Sequence, residues 1–589
     1  MLAVILGLLA INSTGNLLIN PTWDNDFSEW NWASAPFKVT RGEDADGIHA
    51  ILSTPMDVEP SWRHLSQSHP CKPGDRFVFT ADARGTEYEE GRGPLLSLQF
   101  FDDDNVRIGH ADAYAFVPSM QWRQFIVRAE APESSTTVRV VMLLHGRGEV
   151  MFRSPVFQQL PASEPVPGSG VVQVKVTDEI SVPALIGFGA EDDGWFYNQH
   201  NAERGVDEEG IAIREGRIRY MEPDWVRMFF WYRDWNPFLD AKNYTWDSDN
   251  MRSHYRTLDL YQELGTRVTI AGVEWTYTEQ WSNPKTLAKA IGDLLEHLIV
   301  TKGYTCIKDW TLSNEPNLFF HEGEEGTFER FVEIHKLVAA DIKNRGLDVN
   351  IVGSDDGDGY DWFNACVNTS EYHDLTAVYA SHTYFKPTEL PFMKDFFSDR
   401  IALLEANPPV RPFVMAEFGF ADERMQPPSL NPLMEEYEYA LLTMAAYMDG
   451  LNAGVAGFNI WCMQEVYYPG GQTPMNFGLW NFADRNWEIR PVFHTVATLA
   501  RNTSAGDMVY RTISSAHEHF KATATADTLF WVNRSESALE VELTGFQGTI
   551  LRIMEEHSLQ GDRETGTVLQ LDEISRFNAP PRSFGYLKK

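Results

Sequence analysis

Eight short apolar runs, set between long amphipathic stretches, constrain this chain more than any other feature. They read ALIGFGA (184–190), WVRMFFW (225–231), RVTIAGVEW (267–275), CIKDWTLS (306–313), VNIVGSD (349–355), AVYASHTYF (377–385), PFVMAEFGF (412–420) and VAGFNIWCM (455–463). Helical patterns lie between them, such as TLAKAIGDLLEHLIVTKG and FERFVEIHKLVAADIKNRG. The second of these ends at a glycine suited to a left-handed C-cap. Short apolar runs alternating with amphipathic helices predict βα units around a parallel sheet. Eight strands over about 320 residues fit an α/β (β/α)8 TIM barrel, placed at 181–500.

The flanking regions have another texture. Within 16–160, runs such as RFVFTADA, LLSLQFFDD, RQFIVRAEAP and TTVRVVMLL alternate with period two. Turn residues punctuate them about every ten residues, the pattern of a β-sandwich. PASEPVPGSG (161–170) carries a linker composition. From 501 to 589 the alternation returns, predicting a small C-terminal β-sandwich, to which VVQVKVTD (171–178) is expected to add a strand.

Charge narrows the partners. With 49 Lys and Arg against 84 Asp and Glu, the chain carries a formal charge of −35. Such a field repels nucleic acid and anionic membrane, so neither is expected as a partner. The 18 Trp residues favour sugars instead, because flat rings stack on the C–H faces of pyranoses. Within residues 1–15, MLAVILGLLAINSTG, positions 2–11 are almost all apolar, Ser13 and Gly15 are small residues suited to a cleavage site, and the run, whose rival reading is an ordinary buried first strand, is too short to span a bilayer. They read as an export leader without the usual Lys or Arg in front, which predicts a secreted or periplasmic protein. The four cysteines lack metal-ligand spacing and are expected to be mostly buried free thiols.

Active sites of such barrels lie at the C-terminal ends of the strands. Strand four ends in Asn314-Glu315, and strand seven carries Glu417. Strands four and seven oppose one another in a barrel of eight, so both carboxyls can face one cleft. SNEPN together with AEFGF resembles the large clan of retaining glycoside hydrolases whose acid/base and nucleophile sit on barrel strands four and seven. That clan includes cellulases, β-mannanases, β-xylosidases and β-galactosidases. DWTLSNEPNLFF is similar to the β-xylosidase type, whereas SHTYF and AEFGF are closer to the cellulase/mannanase type.

The resemblance implies a carbohydrate substrate, no cofactor and no metal. It makes Glu315 the acid/base and Glu417 the nucleophile, with Arg227 and Tyr384 supporting Glu417. It implies that Asn314 contacts the sugar 2-OH, that His382 orients Glu315 or touches substrate, and that Trp461 forms the floor. Trp275, with Glu274, ends strand three as a further subsite. The opening NLLINPTWDNDFSEWNW and closing GEVMFRSPVFQQL of the first region resemble jelly-roll carbohydrate-binding modules. Trp23, Trp30, Trp32, Trp62 and Trp122 are its candidate stacking platforms. A non-catalytic sugar-binding barrel and a transglycosylase stay open as alternatives.

Other polar clusters are weaker. GAEDDGWFYNQHN (189–201) follows strand one, as a substrate-gripping or a solvated loop. YYPGGQTPMNFGLW (467–480) follows strand eight as a specificity loop. SDDGDGYD (354–361) lacks the spaced acids and closing Glu of a calcium loop. His517 and His519, in HEH, are expected on one face of a strand without a third metal ligand.

Overall fold

The computed structural model describes residues 15–589, apart from 25, 33–35, 60, 116, 118, 165–169, 274–281, 320–326, 423, 426–428, 469–472, 560 and 564–565. For residues 61, 86–92 and 120 it describes the backbone alone. The expected leader therefore lies outside the described residues, apart from Gly15. Two compact units divide the chain. One holds the residues up to Ser163 with Gly359–Ala365 and Thr388–Phe392; the other holds Glu164–Asp358, Cys366–Pro387 and Met393–Lys589.

The first unit is antiparallel. Its spine is two long strands, Arg76–Phe101 and Thr137–Leu160, paired along most of their length. Period-two alternation turns Phe77, Phe79, Leu96, Leu98, Phe152 and Phe157 into one core. Trp23 and Trp30 belong to that core, so neither is a sugar platform. Trp32 and Trp62 are exposed, and Trp62 stacks on His145 with ring centres 3.9 Å apart. Trp122 is half-buried, with the guanidinium groups of Arg84 and Arg153 4.3 and 4.4 Å from its ring centre. The indole is therefore engaged by two cations.

In the second unit, all eight apolar runs form strands. These are Gly187–Ala190, Trp225–Trp231, Arg267–Val273, Ile307–Thr311, Asn350–Gly357, Thr376–Phe385, Phe413–Phe420 and Val455–Ile460. Every pairing among them is parallel, and each strand lies beside its sequence neighbour, with the eighth against the first. The sheet closes between strands one and two through a single bridge, Glu191 to Arg227, with the Asp192 amide donating to the Arg227 carbonyl at 2.8 Å. Strands seven and eight are buried at every position, as sheets covered on both faces require. Several strands stop earlier than their apolar runs: the eighth ends at Ile460, releasing Trp461 and Cys462 into the strand-end loop.

Helix boundaries follow local signals. Asn283 caps Pro284–Glu296, with proline in the first turn where its missing N–H goes unused. Thr327 caps Phe328–Arg345, and Gly346, at φ 67°, ends it in the left-handed region.

A nine-stranded sheet completes this unit. Val171–Val182, ahead of the barrel in sequence, pairs antiparallel with Val509–Ser514 and parallel with Leu539–Thr544. His517 and His519 lie in the turn before Phe520–Ala524, not on a strand face. His517 Nε2 instead approaches Asp449 Oδ1 at 3.3 Å.

Asp449 belongs to the barrel helix Tyr437–Ala453 and is fully buried with Lys521, whose Nζ donates to both its oxygens at 2.9 and 2.7 Å. Burial opposes the charge on Asp449, but Lys521 and His517 hold its carboxyl down at about 2. Removing one partner of a buried pair strands the other, so Asp449→Ala should cost about 3–5 kcal/mol. A carboxyl with a depressed folded pKa stabilises above its unfolded pKa and loses that contribution as pH falls through the folded value. The gap in thermal midpoint between wild type and variant should be full at neutral pH and shrink from about pH 4 towards pH 2. A gap that stays constant on acidification would contradict the assignment.

Candidate active site

The strand ends of the barrel bring their polar residues to one buried cluster, and Arg227 is its centre. It is the third residue of the second strand and has no exposed surface. Its Nη1 donates to Glu191 Oε2 at 2.8 Å and reaches Glu417 Oε2 at 3.5 Å. Its Nη2 donates to Asp355 Oδ2 at 2.6 Å and to Asn314 Oδ1 at 3.0 Å. One guanidinium thus ties together residues from the ends of strands one, four, five and seven. The resemblance assigns Arg227 to Glu417, but its shorter bonds go to Asp355 and Glu191.

His382, in strand six, is registered between Gly357 of strand five and Glu417 of strand seven. Its Nε2 meets Asp355 Oδ1 at 3.1 Å; its Nδ1 lies 3.4 Å from Glu315 Oε1 and 3.7 Å from Glu417 Oε2. Two residues further on, Tyr384 donates its hydroxyl to Glu417 Oε1 at 2.6 Å. The Tyr384 ring is edge-on to Trp461, with centres 6.0 Å apart, and Trp461 packs on Phe477 at 4.8 Å. Trp275 and Glu274 lie outside the described residues.

Local backbone holds Glu315 in place. Glu315 and Asp355 both adopt left-handed φ, 45° and 53°, and the Glu315 amide donates to the Asp355 carbonyl at 3.1 Å. Such non-glycine residues cost roughly 1–3 kcal/mol each and persist only where their surroundings dictate them. Gly357 provides the space: a Cβ there would sit 2.8 Å from the Glu315 carboxyl carbon. Asn317 fixes Gly357 from both sides, accepting from its N–H at 2.8 Å and donating to its carbonyl at 3.0 Å.

Several members of the cluster were missed or misread in the sequence. Asp355 sat in SDDGDGYD as a weak calcium candidate. In the structure its oxygens go to Arg227 and His382, while Asp356 accepts from Ser354 at 2.7 Å and Ser381 at 2.9 Å. Its place at the end of the strand-five run VNIVGSD is the signal for it in the sequence. The stretch after strand one is not a solvated loop either: Glu191, Asp192, Asp193 and Trp195 are all buried. Asp192 is held by Arg214 and Tyr261, and Asp193 accepts from Tyr468, in the segment after strand eight, at 2.9 Å.

The electrostatics follow from two cations among several acids. Burial opposes a charge on His382, but Asp355 and Glu417 outweigh it and lift its pKa to about 10. It is therefore protonated at neutral pH, and both ring nitrogens donate. Burial would also raise Asp355, yet Arg227 and His382 pull it below the usual range. Burial lifts Glu191 to about 7 in spite of Arg227. Glu417 is raised by burial and by the neighbouring Glu315, against the pull of His382, Arg227 and the Tyr384 hydroxyl. Glu315, His382 and Glu417 each offer a ligand atom within 4.8 Å of the others, the one such group among the described residues.

No family model matches the chain, and no curated protein does. Solved structures do resemble it. A conserved exported protein from Bacteroides fragilis superposes with a TM-score of 0.54 at 10% identity, over 71% of this chain and all of that one. The GH39 enzyme from Xanthomonas axonopodis pv. citri gives 0.52 at 12% identity, over 72% of this chain and 98% of that one. The catalytic domain of GH30 xylanase C from Talaromyces cellulolyticus gives 0.52 at 11% identity, over 71% and 99%. At these identities the likeness is one of fold: this chain shares the barrel of GH30 and GH39 glycoside hydrolases. Among the described residues, no helix is long and apolar enough to cross a membrane.

Arg227→Leu should cost about 3–5 kcal/mol at neutral pH, because Glu191, Asp355 and Glu417 lose their shared cation. Their folded pKa values then rise, so the penalty is absent where all are protonated and grows as pH rises. The variant's deficit in thermal midpoint should be smaller at about pH 5 than at about pH 8. A deficit equal or larger at the acid end would contradict this charge assignment.

Proposed function

We propose that the chain is a retaining glycoside hydrolase that cleaves β-glycosidic bonds of a plant or algal polysaccharide or its oligomers. One observation carries the reading: carboxyl oxygens of Glu315 and Glu417 lie within 4.8 Å of each other, at opposed strand ends. Retaining enzymes hold their carboxyls about 5–5.5 Å apart and inverting ones about 6.5–9.5 Å, and oxygens this near support the closer-set, retaining pair.

In this reading Glu417 attacks the anomeric carbon while Glu315 protonates the departing oxygen. Glu315 then takes a proton from water as that water displaces Glu417 from the sugar. The Tyr384 hydroxyl and Arg227 stabilise the Glu417 carboxylate before attack and again after release. His382, clamped by Asp355, carries a positive charge beside both carboxyls and orients Glu315. Asn314, fixed through its Oδ1 by Arg227, reaches for the sugar 2-OH, and Trp461 lies beneath the ring.

The remaining assignments belong to the same proposal. Residues 181–500 are the catalytic barrel. Residues 16–160 are a jelly-roll sugar-binding module whose exposed Trp32 and Trp62 are the platforms. Residues 161–180 link it to the barrel and to the β-sandwich of 501–589. The leader directs export.

Glu315→Gln should lose about 10²–10⁴-fold in kcat/KM on poor leaving groups and far less on activated aryl glycosides, which need no acid. Equal loss on both would remove Glu315 from that role. Glu417→Ala should be inactive on both, with azide restoring turnover and giving the inverted glycosyl azide. No rescue at any azide concentration would argue against a covalent intermediate there.

A further inference from the structure

One nitrogen serves two carboxyls in the cleft. Arg227 Nη1 donates to Glu191 Oε2 at 2.8 Å and reaches Glu417 Oε2 at 3.5 Å. The other terminal nitrogen is committed elsewhere: Nη2 goes to Asp355 at 2.6 Å and to Asn314 at 3.0 Å. The guanidinium also packs over Phe229, 5.0 Å from the ring centre. What stays adjustable is how Nη1 divides between Glu191 and Glu417, and Glu191 has the larger share.

Glu191 is placed to keep that share. It follows strand one and has no exposed surface. Its amide donates to the Ile460 carbonyl at 3.0 Å, and its carbonyl accepts from the Met463 amide at 2.7 Å, so its backbone is fixed on the end of strand eight. One carboxyl oxygen is bonded to Arg227; the other, Oε1, is buried with no hydrogen-bond partner. The cation facing it is Arg227, on strand two. The acids facing it are Asp355 on strand five, Glu417 on strand seven and Asp193 after strand one, with Tyr261 and Cys462 held neutral by burial. Burial, against the pull of Arg227 and with the push of Glu417, puts its pKa at about 7. A charge on Glu191 has two effects on Glu417: it draws Nη1 to itself, and it repels the second carboxylate across the shared nitrogen. Both leave Glu417 more basic, and so the stronger nucleophile. With Glu191 neutral, Nη1 turns to Glu417, and a better-held carboxylate attacks more slowly.

We propose that Glu191 is a positioning residue that sets, through Arg227, how tightly the Glu417 carboxylate is held and hence how readily it attacks. This rests on the reading of Glu417 as the nucleophile, and adds a residue after strand one that governs it. The same residue keeps Arg227 paired while Glu417 carries the sugar, since Nη1 already has its shorter bond to Glu191.

The test uses the dinitrophenyl β-glycosides of xylose, glucose, galactose and mannose, whose leaving group needs no acid, so the proton on Glu315 does not set the profile. With whichever is turned over best, kcat/KM of Glu191→Gln is compared with wild type across pH. At about pH 5, where Glu191 already carries its proton, the two should agree within about twofold. At about pH 8 wild type should lead by at least about fivefold. Glu191→Asp keeps a charge at this place, so its ratio to wild type should not climb with pH. A Glu191→Gln ratio that is the same at both ends, as general damage to the fold would give, overturns the inference, and so does a climb with Glu191→Asp. Thermal midpoints at about pH 8 read the sharing of Arg227 without turnover. The effect of Glu417→Gln should be about 1–2 °C less favourable beside Glu191→Gln than in wild type, because Arg227 then holds Glu417 more fully. Additive midpoints contradict the sharing. Coupled midpoints with no turnover of any glycoside sink the hydrolase reading and leave the sharing standing.

Discussion

A guanidinium with no exposed surface is stable only where its charge is answered, and Arg227 is answered from four directions. Glu191, Asn314, Asp355 and Glu417 converge on it from the ends of four other strands. Desolvation makes each of the three carboxylates among them expensive alone, and a shared cation makes them tolerable together. Strand closure depends on the same place, since the bridge that joins strand one to strand two is Glu191 to Arg227. The pairing that closes the barrel and the pairing that gathers the carboxyls are therefore one interaction. The left-handed backbone at Glu315 and Asp355 is held beside it by the hydrogen bond between them.

Around that centre the charges divide by role. His382 is protonated because Asp355 and Glu417 flank it, and it lies against both Glu315 and Glu417. The Tyr384 hydroxyl and Arg227 favour the ionised Glu417, while burial and Glu315 oppose it. That balance suits a carboxyl that must part with its charge on forming a bond and regain it on release.

Much of the barrel was legible in the sequence, because parallel strands buried on both faces show as apolar runs. WVRMFFW forms a strand over its full length, and the Gly346 stop falls where its φ requires. Glu315 and Glu417 could be paired from strand order alone, and the structure brings their oxygens within 4.8 Å. Asp355 was not legible in the same way. Its partners, Arg227 and His382, lie 128 and 27 residues away, and only the closed sheet brings them together. Burial of Glu191 and Asp193 was hidden for a related reason: a run of acids reads as solvated unless the distant Arg227 and Tyr468 are known to meet it. Trp23 and Trp62 look alike in sequence, yet one fills a core and the other is exposed. Likewise HEH carries the alternation of a strand but lies in a turn beside Asp449.

The anomeric configuration of the first product tests the central claim most directly. A glycoside turned over in an NMR tube releases its sugar faster than mutarotation scrambles it, so the first anomeric proton signal to grow reports the stereochemistry. Carboxyl oxygens within 4.8 Å predict double displacement, with the β anomer appearing first from a β-glycoside. The α anomer appearing first would mean single displacement by water, and would contradict the account of Glu315 and Glu417 as one close-set pair around Arg227.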